Sequence, residues 1–266
     1  MVSKLTKKEL AKELGISLAS LYYRPKQFNK DWQLKIAIEE ALHLRPSYGH
    51  KRLALHLKIN KKRILRVMKL FGLKPYRRRS RKYRKTTDYS MIYPNLLLTN
   101  IPSHPNQIWA SDFTRLGFKG KTIYLATVID VLTKEVAGFS VSTGHGVFLV
   151  INALLSALNQ RLPPEIIHSD QGSEYKSKIY TGLVESLGIK VSMSRKASPW
   201  ENGYQEAFYS QFKVDLGDPN RFNSLGELIA EIYQTIHIYN TQRIHTVLKM
   251  PPKQYAILKT LTNQAA

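Results

Sequence analysis

The sequence predicts an α/β fold: a mixed five-stranded sheet flanked by helices and preceded by an all-helical region. Three observations predict it. The first seventy or so residues carry helical periodicity and helix caps. From Gln107 the pattern changes to β-rich runs separated by Gly or charged turns. Beyond these runs, helical and short β-rich segments alternate.

Residues 5–23 read as two short helices. Thr6 with Glu9 three residues later forms a capping box, Leu10 and Leu14 share a face, Gly15 breaks the helix, and Ser17 can cap the next. The pair is either a DNA-reading helix-turn-helix or a plain helical hairpin. Residues 32–44 form an amphipathic helix through Leu34, Ile36, Ile38, Ala41 and Leu42. Pro46–Gly49 interrupts it, and a second helical pair follows at His50–Lys58 and Lys61–Phe71. Asn60 is its inner N-cap; Ile64, Val67, Met68 and Phe71 repeat at helical spacing, and Gly72 closes the run. Residues 1–73 are thus expected to be a helical region for DNA binding or assembly.

Residues 74–104 are expected to be a linker. Its first part, 74–85, holds eight Lys or Arg and two Tyr. Such a run is either a solvated connector or a phosphate-contacting one. An all-basic run with interleaved tyrosines favours the second, with Arg77, Arg78, Arg79, Arg81 and Lys82 as the contacts. Pro94, Pro102 and Pro105 discourage regular structure in the rest.

The α/β unit spans 105–218. Ile108–Thr114, Thr122–Val131 and Glu135–Val141 read as an antiparallel meander. A helix at Val147–Asn159, a strand at Glu165–His168, a helix at Lys176–Leu187 and a short strand at Lys190–Met193 follow. In the next helix, Phe208, Phe212 and Leu216 form an apolar face, and Glu206, Tyr209, Ser210 and Lys213 form another that is presented outward. A tail, 219–266, carries an amphipathic helix at Ser224–Tyr239 and is expected to pack on the core. Three strands followed by alternating helices and strands is the order of a ribonuclease-H-like fold.

A net charge of +22 points to a polyanionic partner, most simply nucleic acid. No run of eighteen apolar residues crosses a membrane, and no basic-then-apolar signal opens the chain. The absence of cysteine excludes disulfides and thiolate zinc sites and fits a reducing cytoplasm.

The chemistry-bearing motifs are His168-Ser169-Asp170-Gln171-Gly172-Ser173-Glu174-Tyr175, Ser192-Met193-Ser194-Arg195-Lys196, and Glu201-Asn202 with Glu206. The 35 residues 171–205 separate Asp170 from Glu206. With Trp109-Ala110-Ser111-Asp112-Phe113-Thr114 and the tail Tyr239-Asn240-Thr241-Gln242-Arg243-Ile244-His245, nearly the whole chain resembles the second-frame (OrfB-type) catalytic proteins of bacterial insertion-sequence DDE transposases. These have a retroviral-integrase-like core. Ser198–Gly203 departs from the more frequent Asn-Cys-Tyr-Asp-Asn-Ala, and the zinc-binding module of retroviral integrases is absent.

The resemblance implies that Asp112 and Asp170 lie side by side and, with Glu206, hold two Mg²⁺ ions, Mn²⁺ substituting. It implies cleavage and strand transfer of an insertion sequence by a bacterial, nucleoid-associated protein. DNA ends, a homo-oligomer on DNA and an upstream-frame helix-turn-helix protein are the implied partners. Hard carboxylate oxygens suit Mg²⁺, and phosphodiester transfer needs little else from a protein. Arg195, Lys196 and Lys213 lie near the acids in sequence and suit DNA phosphates. Trp200 either stacks on an unpaired base or staples the helix start, and His245 is expected to tie the tail to the core. Two other readings compete: a non-catalytic DNA-binding remnant of such an enzyme, and a ribonuclease acting on RNA–DNA hybrids.

Overall fold

In a computed structural model, the described residues are 6–22, 26–77, 93–195 and 198–264. Arg78, Arg79, Arg81, Lys82 and Lys196 lie outside them, and so does the side chain of Trp200. The helical region comprises α1 (Lys7–Glu13), α2 (Leu18–Tyr22), α3 (Lys26–Leu44), α4 (His50–His56) and α5 (Lys61–Leu70). The core comprises β1 (Ile108–Phe118), β2 (Lys121–Asp130), β3 (Val136–Ser142), α6 (Val147–Leu158), β4 (Ile166–Ser169), α7 (Lys178–Ser186), β5 (Lys190–Met193) and α8 (Gly203–Leu216). The tail carries α9 (Leu225–Thr241) and α10 (Pro252–Gln264).

The capping box at Thr6 and Glu9 forms, Gly15 takes a φ of +65°, and Ser17 accepts from the Ser20 amide. Leu10 and Leu14 share their face without burial, at 37% and 58% exposure, so among the described residues nothing covers it. The α3–α5 cluster is different. Leu34, Ile38, Leu53, Ile64 and Val67 are buried together, and Arg66 on α5 clasps Asp31 on α3 through both carboxylate oxygens.

The sheet runs β3-β2-β1-β4-β5. The meander pairs antiparallel, while β4 and β5 pair parallel to β1. Each face is covered. Trp109, Ala126 and Val128 pack on α6 and α7, whereas Leu116, Ile123 and Leu125 pack on α8 and α9. This is the period-2 alternation of a sheet buried on both sides. Gly138 marks the closest helix–sheet approach: a Cβ there would fall within 3.0 Å of the Ala153 and Ala157 backbone on α6.

Two expectations change. Residues 94–98 are not a mere connector: Leu96–Leu98 forms a 3₁₀ turn, Leu96 and Leu97 pack on Ile108 and Ile166, and Met193 N donates to Pro94 O. The proline-rich stretch therefore caps the open edge of the core. Tyr209 does not share the outward face of α8; it is buried at 7% exposure, because its ring fills the α8–sheet interface.

The tail motif explains itself structurally. Asn240 bonds both the amide and the carbonyl of Val136 at the start of β3 (2.9 and 3.0 Å). Arg243, only 2% exposed, joins three parts of the chain. Its Nε donates to Asp215 on α8 (2.6 Å), and Nη2 donates to Ser47 and Gln211 (each 2.7 Å). The Ile244 amide donates to the Tyr48 hydroxyl, completing a clamp between the helical region, α8 and the tail. His245 sits in the following turn, where Nδ1 accepts from Val247 N at 3.3 Å.

Replacing Arg243 by Met would strand the Asp215 carboxylate. The expected loss is about 3–5 kcal/mol, typical of breaking one partner from a buried pair. Urea denaturation checks it, and Asp215→Asn in the same chain should recover part of the loss. A change under about 0.5 kcal/mol, the range of an ordinary surface substitution, would show that the clamp is idle.

Candidate active site

Asp112 lies on β1 opposite Thr127 of β2. The β1–β4 pairing ends at Ala110 and His168, so β1 carries Asp112 past the end of its parallel neighbour. Asp170 follows Ser169, the last residue of β4. The two acids thus come to one mouth of the sheet, as the family resemblance implies.

A tight turn shapes the Asp170 side. The Gly172 amide donates to Asp170 Oδ1 at 2.9 Å, and a Cβ on Gly172 would stand 3.0 Å from that oxygen and 3.3 Å from Glu174 Oε2. The motif glycine leaves room for two carboxylates in one turn.

The electrostatics show the crowding. Burial, and then the nearby Asp170 charge, push Asp112 up to about 7; the Phe113 amide and Lys213 oppose this, and Glu206 adds a smaller repulsion. Burial also raises Asp170, against the Gly172 amide, while Glu174 adds to the rise and Lys176 opposes it. Glu206 is exposed on the first turn of α8. Among the described residues, no three His, Cys, Asp or Glu side chains converge closely enough to enclose a metal ion. Of the two acids whose charges raise Asp112, Asp170 acts more strongly than Glu206.

Buried polar contacts set α8 against β1. Gln205 Nε2 donates to Ala110 O (2.6 Å) and Thr127 O (3.1 Å). The Tyr209 hydroxyl donates to the carbonyl of Asp112 itself at 2.6 Å. Burial and the Asp112 charge hold that hydroxyl far above its usual range, so it stays a neutral donor. Asn202 Nδ2 donates to Ser111 O at 3.2 Å. The register of Glu206 and Lys213 against Asp112 follows from these bonds.

Around Asp170, other residues hold the frame. His168 is fully buried, with Nδ1 2.8 Å from Ser192 Oγ on β5. Burial depresses it to about 4 despite the opposing Glu201 charge, so it is neutral near pH 7. Glu201 knots three segments: Oε2 accepts from the Arg195 amide and from Asn95 (each 2.8 Å), and Oε1 accepts from Arg195 Nε (2.7 Å). Arg195, expected to contact phosphates, thus spends its Nε on Glu201. Glu174 accepts from Ser173 and pairs with His145 Nδ1 (3.0 Å), which in turn stacks against Phe113.

Gln205 and His145 escaped the sequence reading, and Glu174, Glu201 and Tyr209 stood in its motifs and helix face without the roles seen here. Gln205 and Tyr209 had a weak signal, because Gln205 stands next to Glu206 and Tyr209 one turn on, between two buried phenylalanines. The His145–Glu174 pair spans 29 positions and no periodicity links them.

Residues 102–199 match the Integrase core domain family model, and residues 187–252 match a second model of that name. The chain is 35% identical over 196 residues to the transposase of insertion sequence element IS904 from Lactococcus lactis, covering 71% of this chain and 77% of that one. It is 32% identical over 262 residues to the InsK protein of IS150 from Escherichia coli, covering 93% of this chain and 92% of that one. The chain belongs to the transposases of bacterial insertion sequences. Among solved structures, the HTLV-2 integrase catalytic core domain in complex with magnesium matches at 22% identity, with a TM-score of 0.45, over 57% of this transposase and 97% of that chain. No helix among the described residues is long and apolar enough to cross a membrane.

The raised Asp112 predicts a pH dependence in the transposase free of metal. The native state holds this proton more tightly than the unfolded chain, whose value is near 3.8. The stabilisation is complete below that pH and is lost as pH rises through about 7. Asp112→Asn should therefore melt higher than wild type at pH 8 in EDTA, with the gap closing near pH 4. Thermal melts across that range check it, and a gap independent of pH would contradict the account.

Proposed function

We propose that this transposase cleaves and joins the DNA ends of its insertion sequence with two magnesium ions, manganese substituting, held by Asp112, Asp170 and Glu206. The observation that carries the reading is the pairing of Asp112 with Asp170 at the sheet mouth. Desolvation of both, and the Asp170 charge felt at Asp112, make a cation the natural partner. The donor set is all hard oxygen, which suits Mg²⁺.

Bound magnesium would neutralise charge developing at phosphorus and lower the pKa of the attacking oxygen. The attacking oxygen belongs to water in nicking and to a DNA 3′-hydroxyl in joining. It loses its proton and forms a new P–O bond, while the bond to the departing strand's 3′-oxygen breaks and that oxygen keeps the electron pair. The chain's own work is placement. Tyr209 and Gln205 hold α8 on β1, Gly172 keeps the Asp170 carboxylate clear, and Lys213 lowers the repulsion at Asp112. Arg77, Arg78, Arg79, Arg81, Lys82, Arg195, Lys196 and Lys213 are the proposed phosphate contacts. Assembly is proposed as a homo-oligomer on DNA, with an upstream-frame protein as a further partner.

The test compares wild type and Asp170→Asn on duplexes carrying the element's own ends, in Mg²⁺ and in EDTA. Cleavage and joining should fall at least about a thousandfold in the variant and in EDTA, as when several kcal/mol of metal-borne charge stabilisation are lost. DNA binding should persist in both. Unimpaired cleavage by Asp170→Asn would sink the assignment. Binding without cleavage by wild type, with the upstream-frame protein added, would favour a non-catalytic remnant.

A further inference from the structure

The junction between α4 and α8 holds a cation short of a counter-charge. Arg52 on α4 reaches α8, where Nη1 donates to Gln211 Oε1 at 3.3 Å. Its Nε is buried and has no hydrogen-bond partner. Burial, and then the Arg243 guanidinium beside it, depress Arg52 to about 10, with Asp215 only partly compensating. Asp215 already serves Arg243 Nε (2.6 Å) and Ser47 Oγ (3.0 Å). A half-buried guanidinium with a bare N–H and a like-charged neighbour favours an added anion.

That cation lines an open space. A cleft of about 520 Å³ between the helical region and α8 is bordered by Lys51, Arg52, Tyr76, Arg77 and Ser210. A second, of about 560 Å³, is bordered by Tyr76, Arg115, Lys213 and Asp218. Tyr76 and Val214 line both, so the two form one trough along α8 toward the β1–β2 hairpin. Lys51, Arg77 and Arg115 are exposed, and so is Tyr76, at 62%. Five Lys or Arg against one acid, spread over two adjoining clefts, exceed what a single small anion needs. They suit a row of phosphates, with the Tyr76 ring against sugar or base.

Resting on the transposase reading above, we propose that this trough carries the phosphodiester backbone of DNA, with Arg52 holding one phosphate. The DNA would then touch the helical region and the core at once. Its binding would reinforce the docking of the helical region on α8, the helix that bears Glu206.

The test uses the full chain in EDTA, so that no chemistry intervenes, and a fluorescent duplex of arbitrary sequence. Lys51→Glu, Arg115→Glu and Lys190→Glu are titrated across a range of salt; each changes net charge equally. Lys190 opens β5, at the opposite end of its strand from the Asp170 mouth. Lys51→Glu and Arg115→Glu should each weaken binding about tenfold at low salt and lower the log K against log salt slope by about one. Lys190→Glu should change neither, and melting curves confirm that each variant is folded. In unmodified protein, DNA should slow acetylation of Lys51 severalfold and leave Lys190 unchanged. If DNA is bound and Lys51 reacts at its free rate, or if all three variants behave alike, the trough is not the DNA path. Cleavage does not enter this assay, so it can fail while the Asp170→Asn result stands, and the reverse.

Discussion

The geometry of the candidate site depends on one half-buried hydrogen bond, from the Tyr209 hydroxyl to the backbone carbonyl of Asp112. A carbonyl in a buried strand needs a partner. Where β4 has ended, that partner comes from a helix side chain instead of a neighbouring strand. Asn202 does the same for Ser111, and Gln205 bonds the carbonyl of Ala110, the last β1 residue paired with β4. Three consecutive carbonyls of β1 thus accept from the α8 end of the chain. The polar requirement of the strand fixes the helix, and the helix carries Glu206 and Lys213. A purely apolar interface of Phe208, Phe212 and Leu216 would allow α8 to slide. Directional bonds to named carbonyls do not.

A second constraint is charge. A chain of net charge +22 nevertheless brings two carboxylates to the sheet mouth, Asp112 half-buried and Asp170 at the surface, where the surrounding protein raises both. The repulsion between them is tolerated because Lys213, the Phe113 amide and the Gly172 amide each lower it. Around this mouth, other acids have been given fixed partners: Glu201 holds Arg195 and Asn95, and Glu174 holds His145 and Ser173. Their charges support the frame, whereas the rise at Asp112 and Asp170 is opposed only in part, by Lys213 and Lys176. Arg52 is the mirror case, a cation short of an anion, which reaches α8 at Gln211, five residues beyond Glu206.

The fold was legible because its sheet strands are short apolar runs between Gly and charged turns, and its helices obey 3.6-residue spacing with visible caps. Asn60, Ser177 and Ser224 each accept from the first turn of their helices, as capping residues do. Residues 94–98 were misjudged because proline discourages regular structure but does not prevent packing. Tyr209 was misjudged because periodicity ranks it by neighbours at i−3 and i+4, while burial was decided by a strand one hundred residues earlier.

Local chemistry in the sequence determined the elements, the caps, the Gly172 turn, and the placing of Asp170 after a strand and Glu206 at a helix start. These follow from contacts within a few residues, and such contacts are written in the spacing. Only the tertiary structure decided which partner each polar group found. Arg243 closes on Ser47 across 196 positions, Asn95 on Glu201 across 106, and Tyr209 on Asp112 across 97. Each bond depends on a crossover or a docked tail, and side-chain type alone does not say which distant chain segment will arrive.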